Sequence, residues 1–442
     1  MSDPRELDLV LVGATGFVGR LTAQHLAQHA PAGVRIALAG RSLTRLQRLS
    51  RELEGAARDW PLIAVDTTDA AACAELAART RVVATTVGPY LRLGGPLARA
   101  CAEAGTHYAD LTGEVLFVHR SIAENHATAQ RTGARIVHAC GFDSVPSDLG
   151  VLLCAEAARA DGAALGRTAL AVRSMKGGFS GGTIDSARTQ VDTLRSDPTL
   201  KAVGDDPWAL AEGGRPPRPP RSSGSGGSGR PGGGASSSGA LPSWVPGPVG
   251  DLVAKVEKAS PVRREQGSDH FTGPFVMAAF NTRVVARSAS LLGYGTGFRY
   301  REYSDYGSGV KGAVTAGVTS AALLGVLGGL SFPPLRPVVD RVLPKPGEGP
   351  SAEAMTSGRF RMEVTAEATN GARYRSTVFA PYDPGYSGTA IMFGEAALAL
   401  CDDAALPADV AGVLTPATAI GMPLADRLRA HGFALEVDRL PG

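Results

Sequence analysis

The sequence predicts an α/β protein with a Rossmann-type, doubly wound parallel sheet followed by a second α+β domain. Two observations predict this fold. Strand-like and helix-like segments alternate six times between residue 7 and about residue 160, and the first strand runs directly into glycines at 13, 16 and 19 and then a helix. Repeated β–α–β units of this length form a parallel sheet with helices on both faces. We therefore expect a nucleotide to bind at the carboxyl ends of the strands.

The first element, residues 7–19, has the glycine spacing of a pyrophosphate cradle. Gly13 permits a tight turn, Gly16 lets backbone N–H groups approach phosphates, and Gly19 lets the next helix pack on the strand. The positive end of that helix then faces the anion. A plain strand–turn–helix is the alternative, but the required strand and helix flank the glycines, which favours a dinucleotide site.

The remaining elements divide the chain into two halves of different character. Five further strands end near Ala39, Val65, Val87, Leu111 and Ala139. Beyond residue 160, alternating runs predict longer antiparallel strands at Ala169–Ser174, Phe298–Tyr303, Phe360–Ala368 and Tyr374–Ala380. Helical patterns lie near Thr183–Arg195, Phe275–Leu292 and Ser387–Leu400.

We accordingly predict a nucleotide-binding domain over residues 1–160 and an α+β substrate domain over 161–400. A C-terminal segment, 401–442, is expected to pack back on the first domain. Residues 213–247 consist mostly of Gly, Pro, Ser and Arg. Such a segment cannot bury enough apolar surface to fold, so it predicts a disordered surface insertion.

Composition limits the function classes. The net charge of +3 over 442 residues gives no case for nucleic-acid binding. The five cysteines form no Cys-x-x-Cys pair and have no histidines nearby at zinc spacing, so we expect reduced thiols and no metal site. The first strand begins by residue 7, which leaves no room for a signal peptide and predicts a cytoplasmic protein.

Residues 312–335 carry no charge and are long enough to cross a bilayer. Gly, Ala, Ser and Thr dilute their hydrophobicity, and the segment ends in a Phe-Pro-Pro sequence. Three interpretations remain: a buried or oligomer-interface helix, a helix on a membrane surface that gives peripheral membrane contact, and a membrane span.

The end of the second strand indicates which dinucleotide binds. Gly40, Arg41 and Ser42 follow this strand, and no acidic residue stands at its tip. An acidic residue would bind the free ribose 2′-hydroxyl of NAD, whereas an arginine with a neighbouring hydroxyl suits the 2′-phosphate of NADP. The alternative is that Arg41 is a surface residue flanking a helix. Asp66, after the third strand, would lie beside the adenine or cap a helix, although Asp69 is better placed for capping.

The loop after the fourth strand must pass close to the nicotinamide half of the cofactor. Gly88 has no side chain to obstruct that approach. Tyr90 could donate a proton or stack on a substrate, or it could be packed beneath the proline-containing loop.

Several motifs together resemble the saccharopine dehydrogenase-like oxidoreductases, and within them the trans-acting enoyl reductases of actinobacterial lipid and polyketide synthesis. The motifs within the first 150 residues are those at 13–19, 38–41, 87–90, 108–114 and 141–148. Later matches lie at 176–183, 281–292, 294–302 and 412–418. The resemblance covers nearly the whole chain except the insertion.

The resemblance implies an NADPH-dependent enzyme that reduces the carbon–carbon double bond of an acyl or polyketide lipid intermediate. The substrate would be a small molecule or an acyl group carried by a polyketide synthase, and we expect a homo-oligomer. The cofactor-binding roles that the resemblance implies fall on Gly13, Thr15, Gly16, Phe17, Gly19, Arg41 and Ser42.

The proton donor for such a reduction has to lie on a loop at the carboxyl ends of the strands. Asp143 follows the sixth strand, and either it supplies the proton or it only pins the loop. No Tyr-x-x-x-Lys pair is present, which weakens the interpretation as a short-chain ketoreductase.

Two alternatives to enoyl reduction remain. Saccharopine-type imine reduction would require an arginine-rich pocket, and no motif identifies one. The other alternative, from a different class, is a non-catalytic NADP-binding or membrane-associated protein.

Overall fold

The computed structural model describes residues 5–177, 181–214, 262–264, 269–331, 355 and 357–441, and within these ranges the strands form two seven-stranded sheets. The first sheet is parallel, in the order β13-β6-β5-β4-β1-β2-β3. Its strands are β1 (Leu7–Val12), β2 (Ile36–Gly40), β3 (Leu62–Ala64), β4 (Thr80–Thr85), β5 (His107–Asp110), β6 (Arg135–Val137) and β13 (Gly412–Leu414). The predicted doubly wound sheet is therefore confirmed.

Helices connect the strands of this sheet. They are α1 (Phe17–His29), α2 (Leu43–Glu52), α3 (Ala70–Arg79), α4 (Tyr90–Leu93), α5 (Gly95–Ala104), α6 (Val115–Thr132) and α7 (Val145–Ala160). Ser42 caps α2, and Asp69 caps α3 by accepting hydrogen bonds from two backbone N–H groups. The central strands are apolar and almost completely buried, as a sheet covered on both faces requires.

The second sheet is mixed, in the order β14-β12-β11-β7-β10-β9-β8. Its strands are β7 (Leu165–Lys176), β8 (Arg263–Arg264), β9 (His270–Gly273), β10 (Arg299–Ser308), β11 (Arg359–Ala368), β12 (Arg373–Ala380) and β14 (Ala434–Leu440). The accompanying helices are α8 (Gly181–Ser196), α9 (Lys201–Asp205), α10 (Ala278–Leu292), α11 (Gly309–Ser331), α12 (Ser387–Leu400), α13 (Pro416–Ala419) and α14 (Met422–Ala430).

One part of the predicted second domain is wrong. Strands β11 and β12 are antiparallel to their neighbours as expected, but β10 runs parallel to β7. The reason is the long connection between β7 and β10, which includes α8, α9 and α10 and allows the chain to cross back before the next strand.

One hydrophobic cluster joins the two sheets, and a second packs on the strands of the first sheet. The joining cluster includes Leu11 of the first sheet, Leu149 of α7 and Val364 of the second sheet. The C-terminal segment contributes β13 to the first sheet and β14 to the second. The domain boundaries at 160 and 400 remain a prediction, and residues 215–247 of the predicted insertion lie outside the described residues.

Helix α11 contains the described part of the uncharged segment 312–335. One side of the helix packs on β9 and β10. The other side carries Val310, Val314 and Val318, which are 82%, 58% and 64% exposed. The helix is therefore not fully buried, and the oligomer-interface and membrane-surface interpretations remain predictions. None of the helices in the part of the chain that the structure describes is long and apolar enough to cross a bilayer.

Arg287 attaches strand β13 and the segment that contains Leu210 to α10. The side chain lies on α10 and is only 2% exposed. Its guanidinium donates two hydrogen bonds to the carbonyl of Val413 at 3.1 and 2.5 Å and one to the carbonyl of Leu210 at 2.7 Å. Burial lowers the pKa of Arg287 to about 10.

We predict that Arg287→Met lowers the free energy of unfolding by about 2–4 kcal/mol, because two buried carbonyls lose a charged donor. The midpoint of urea unfolding measures the change. Arg131→Met, on an exposed part of α6, is the control and should change stability by less than about 0.5 kcal/mol. Equal midpoints for the two variants would contradict this role for Arg287.

Candidate active site

The glycine loop connects β1 to α1 and packs against the loop after β4, at the point where the strand order of the sheet reverses. Gly13 has a left-handed φ of 82°, and a Cβ atom there would lie 2.7 Å from Thr86 Oγ1 and 2.8 Å from Val87 Cγ2. A Cβ atom on Gly19 would collide with the carbonyl oxygen of Gly13. Only glycine therefore permits this packing of β1, α1 and the β4 loop.

The first turn of α1 is built to receive an anion. Gly16 is the N-cap and is exposed, no side chain among the described residues caps the helix, and the first turn contains no acidic residue. Free N–H groups and the positive end of the helix dipole favour a phosphate at this point. Thr15 and Phe17 flank Gly16 and are partly exposed. These observations fit a dinucleotide pyrophosphate.

The residues predicted to contact the adenosine end lie together at the neighbouring strand ends. Arg41 follows β2 and is exposed, while Ser42 accepts a hydrogen bond from the N–H of Arg45 as the cap of α2. Asp66 is exposed and accepts two hydrogen bonds from Thr68, at 2.9 Å from N–H and 2.8 Å from O–H. These bonds hold the pKa of Asp66 below its ordinary value, and the charge of Arg41 adds to the effect.

A cavity of about 530 Å³ lies beside the glycine loop. Its volume falls within the range of small-molecule sites. One wall comes from the first sheet and includes Gly16, Phe17, Gly88 and Tyr90, and the other comes from the second half of the chain. The second wall includes Met175, Ser186, Gln190, Val276, Met277, Phe280, Arg283 and Tyr386.

Tyr90 lies at this cavity, but its hydroxyl group is already hydrogen-bonded. The hydroxyl donates to the carbonyl of Thr85 and accepts from the N–H of Leu111, both at 3.2 Å. The side chain is 5% exposed, and burial followed by the charge of Asp110 raises the pKa of Tyr90 well above its ordinary value. This geometry favours the alternative in which Tyr90 is packed beneath the loop.

Asp143 is in a different situation. Asp143 is partly exposed and lines the cavity, and its Oδ2 atom would lie 3.5 Å from a Cβ atom on Gly113. Among the described residues it has no hydrogen-bond or salt-bridge partner, and desolvation raises the pKa of Asp143 to about 7. Its loop is held instead by hydrogen bonds from Phe142 N–H to Thr389 Oγ1 and from Ser144 Oγ to Asn281 Oδ1, at 3.1 and 3.2 Å.

Glu114 fixes the loop that carries Gly88 and Tyr90. Its two carboxylate oxygens accept hydrogen bonds from the N–H groups of Tyr90 and Leu91 at 2.8 and 2.7 Å. Ser186 of α8 donates a third bond at 2.6 Å. Burial raises the pKa of Glu114, although these hydrogen bonds oppose the shift. Glu114 therefore joins both walls of the cavity.

Sequence reasoning did not identify the residues of the second wall. Tyr386 packs edge to face on Phe17, with ring centroids 4.9 Å apart. Ser186, Gln190 and Leu194 recur every four residues on α8 and line the cavity. This spacing could have indicated one face of a helix, but nothing in the sequence indicated which neighbour that face meets.

Comparison with known proteins agrees with the geometry. The sequence pattern of the saccharopine dehydrogenase NADP binding domain matches residues 9–137. A Mycobacterium tuberculosis protein, named as a candidate trans-acting enoyl reductase, is 44% identical over 99% of both chains. The trans-acting enoyl reductases of Mycobacterium bovis and Mycobacterium ulcerans are each 40% identical, also over 99% of both chains.

Among solved structures, apo saccharopine dehydrogenase (L-Glu forming) from Saccharomyces cerevisiae aligns with a TM-score of 0.53 and 13% identity. The alignment covers 98% of this chain and 100% of that one. At this identity, the similarity shows the fold alone.

The fold, the glycine cradle and the matching domain define an NADP-dependent oxidoreductase of the saccharopine dehydrogenase-like class. Within that class, the chain belongs to the trans-acting enoyl reductase family. The predicted fold class, cofactor and oxidoreductase activity are thus confirmed. The roles of individual site residues remain predictions.

Arg41→Ala should weaken NADPH binding about 10- to 100-fold, because the 2′-phosphate loses a charge-assisted hydrogen-bond donor. Binding of NADH, which lacks that phosphate, should hardly change. Calorimetric titration of both nucleotides measures the difference. Arg48→Ala, on an exposed site further along α2, is the control and should bind both as the parent protein does. An equal loss for NADPH and NADH in Arg41→Ala would contradict the assignment.

Proposed function

We propose that the protein reduces the carbon–carbon double bond of an enoyl thioester whose acyl chain is carried by a polyketide or lipid synthase acting in trans. The observation that carries this proposal is the cavity beside the glycine loop. Its lining is largely apolar, and Asp143 reaches it with a carboxyl group whose pKa is raised to about 7. The names of the relatives support the same substrate class.

The described lining of the cavity disfavours a polycarboxylate substrate. Among the described lining residues, Arg283 is the one lysine or arginine. Its guanidinium donates to the backbone carbonyls of Asp206, Gly204 and Ala279, the first two at 2.9 and 2.6 Å. A guanidinium held in this way is a poor partner for a substrate carboxylate. Saccharopine-type imine reduction is therefore the weaker candidate.

The chemistry divides between the cofactor and the chain. NADPH, when bound, supplies the hydride that the β-carbon of the enoyl group accepts. The glycine loop, Arg41 and Ser42 hold the two ends of the dinucleotide. The apolar walls orient the acyl chain and exclude water. Asp143 then gives its proton to the α-carbon, which balances the reduction, and it regains a proton from solvent.

Asp143 is a better proton donor than Tyr90. With a pKa of about 7, Asp143 is about half protonated at neutral pH, which is the useful range for a general acid. Burial raises the pKa of Tyr90, and two backbone groups already bind its hydroxyl. We therefore assign Tyr90 a positioning role at the cavity wall.

The proposed activity predicts NADPH oxidation in equal amount to saturated product when purified protein meets enoyl thioesters of increasing chain length. Absorbance at the NADPH band and mass spectrometry of the product measure the two quantities. Faster turnover with aminoadipate semialdehyde and glutamate would instead favour imine reduction. Tight NADPH binding without turnover on either substrate class would favour a non-catalytic protein.

Asp143→Asn should lower kcat by about 100-fold or more, because the amide has no acidic proton to give. In the parent protein, kcat should fall as the pH rises through about 7, where Asp143 loses its proton, and this decline should be absent from the residual activity of the variant. Asp59→Asn, at an exposed site, is the control. A variant that retains the parent kcat and pH profile would contradict the role of Asp143.

A further inference from the structure

A cluster of three histidines lies at the opposite end of α1 from the glycine loop. His25 and His29 stand one turn apart on α1, and His431 follows the end of α14. The three ring centroids are 4.7–4.9 Å apart. One ring nitrogen from each residue lies within 4.8 Å of the others. From these distances we propose that the three imidazoles form a binding site for a zinc ion.

The spacing suits the metal. Zinc binds imidazole nitrogens at about 2.0–2.1 Å, which places two nitrogens of a tetrahedral site about 3.4 Å apart. Side-chain rotations that move each ring nitrogen by roughly 1 Å therefore bring the three nitrogens close enough to coordinate one ion. A fourth position remains for water, because His29 is exposed and its side of the cluster faces solvent.

The surroundings orient two of the rings. Oε1 of Glu395, on α12, lies 2.7 Å from Nε2 of His25 and 2.9 Å from Nε2 of His431. Glu395 is 2% exposed, and its other oxygen accepts a 2.8 Å bond from Arg427. In zinc sites, a metal-binding imidazole usually donates its other N–H group in a hydrogen bond to a carboxylate, as Glu395 is placed to accept here.

Close packing also preserves the cluster. A Cβ atom at Gly394 would lie 2.7 Å from Cδ2 of His25, so only glycine allows α12 to approach the ring this closely. Glu395 carries one negative charge, which Arg427 already balances. The rings of His25 and His431 thus share one acceptor oxygen, whereas one divalent cation would bind a nitrogen of all three imidazoles at once.

The position of the site indicates a structural role. His29 lies twelve positions after Phe17 along α1, which corresponds to about 18 Å. The ion would link α1 to α12 and to the C-terminal segment without touching the cavity. Sequence spacing did not reveal it, because only His25 and His29 are near each other along the chain.

Zinc titration of untagged, full-length protein tests the site; a tag is avoided because a polyhistidine tag would bind zinc itself. Calorimetry with zinc chloride should show one equivalent bound per chain, and elemental analysis after dialysis should confirm the ratio. Bound zinc should also raise the melting temperature. Because His29 is exposed, His29→Asn should keep the fold, as circular dichroism can verify, yet weaken zinc binding by about tenfold or more. His431→Asn provides a second variant with the same expected result.

His119→Asn, on α6 and outside the cluster, is the matched control and should bind zinc like the parent protein. The proposal is overturned if the parent protein binds no zinc at micromolar concentration. It is equally overturned if folded His29→Asn and His431→Asn bind zinc as the parent does.

Discussion

The close approach of three backbone segments at the glycine loop is the constraint on which the rest of the site depends. Gly13 lets the end of β1 contact the β4 loop, and Gly19 lets α1 pack against Gly13. A side chain at either position would separate these segments and turn the first N–H groups of α1 away from the strand ends. No side chain in the described part of the chain caps the start of α1, so it is available for a pyrophosphate, and the cavity opens beside it. Family membership and fold agree with this arrangement.

The second half of the chain turns this nucleotide cradle into an enclosed site. Glu114 accepts hydrogen bonds from the N–H groups of the α4 turn and from Ser186 of α8, so one buried carboxylate holds both walls. Desolvation at this site also raises the pKa of Asp143 to about 7. Asp110 shows the contrast, because it ends strand β5 of the first sheet and both its carboxylate oxygens have partners. Its Oδ1 accepts hydrogen bonds from the N–H groups of Thr112 and Ala139, and its Oδ2 lies 2.7 Å from Nδ1 of His138. Two aspartates at the same edge of the sheet thus have different chemistry because only one lacks partners within the described residues.

Local sequence was sufficient for the first sheet because its signals are local. A strand followed by the glycines at 13, 16 and 19 determines the cradle, and Asp69 caps α3 as its position before the helix suggested. The parallel pairing of β10 with β7 could not be read in this way, since it depends on how a long connection crosses the sheet. Tyr386 and Gln190 likewise reach the cavity through tertiary packing. The histidine cluster combines residues about 400 positions apart, a separation at which spacing carries no information.

In the proposed reaction, the glycine loop presents NADPH to an acyl chain in the adjoining cavity, and a protein acid completes the reduction. Isotope transfer tests it most directly. Reduction of an enoyl thioester with NADPH deuterated at the transferable position should place one deuterium on the β-carbon. The same reaction with ordinary NADPH in heavy water should place one on the α-carbon. A saturated product without cofactor-derived deuterium at the β-carbon would contradict the account.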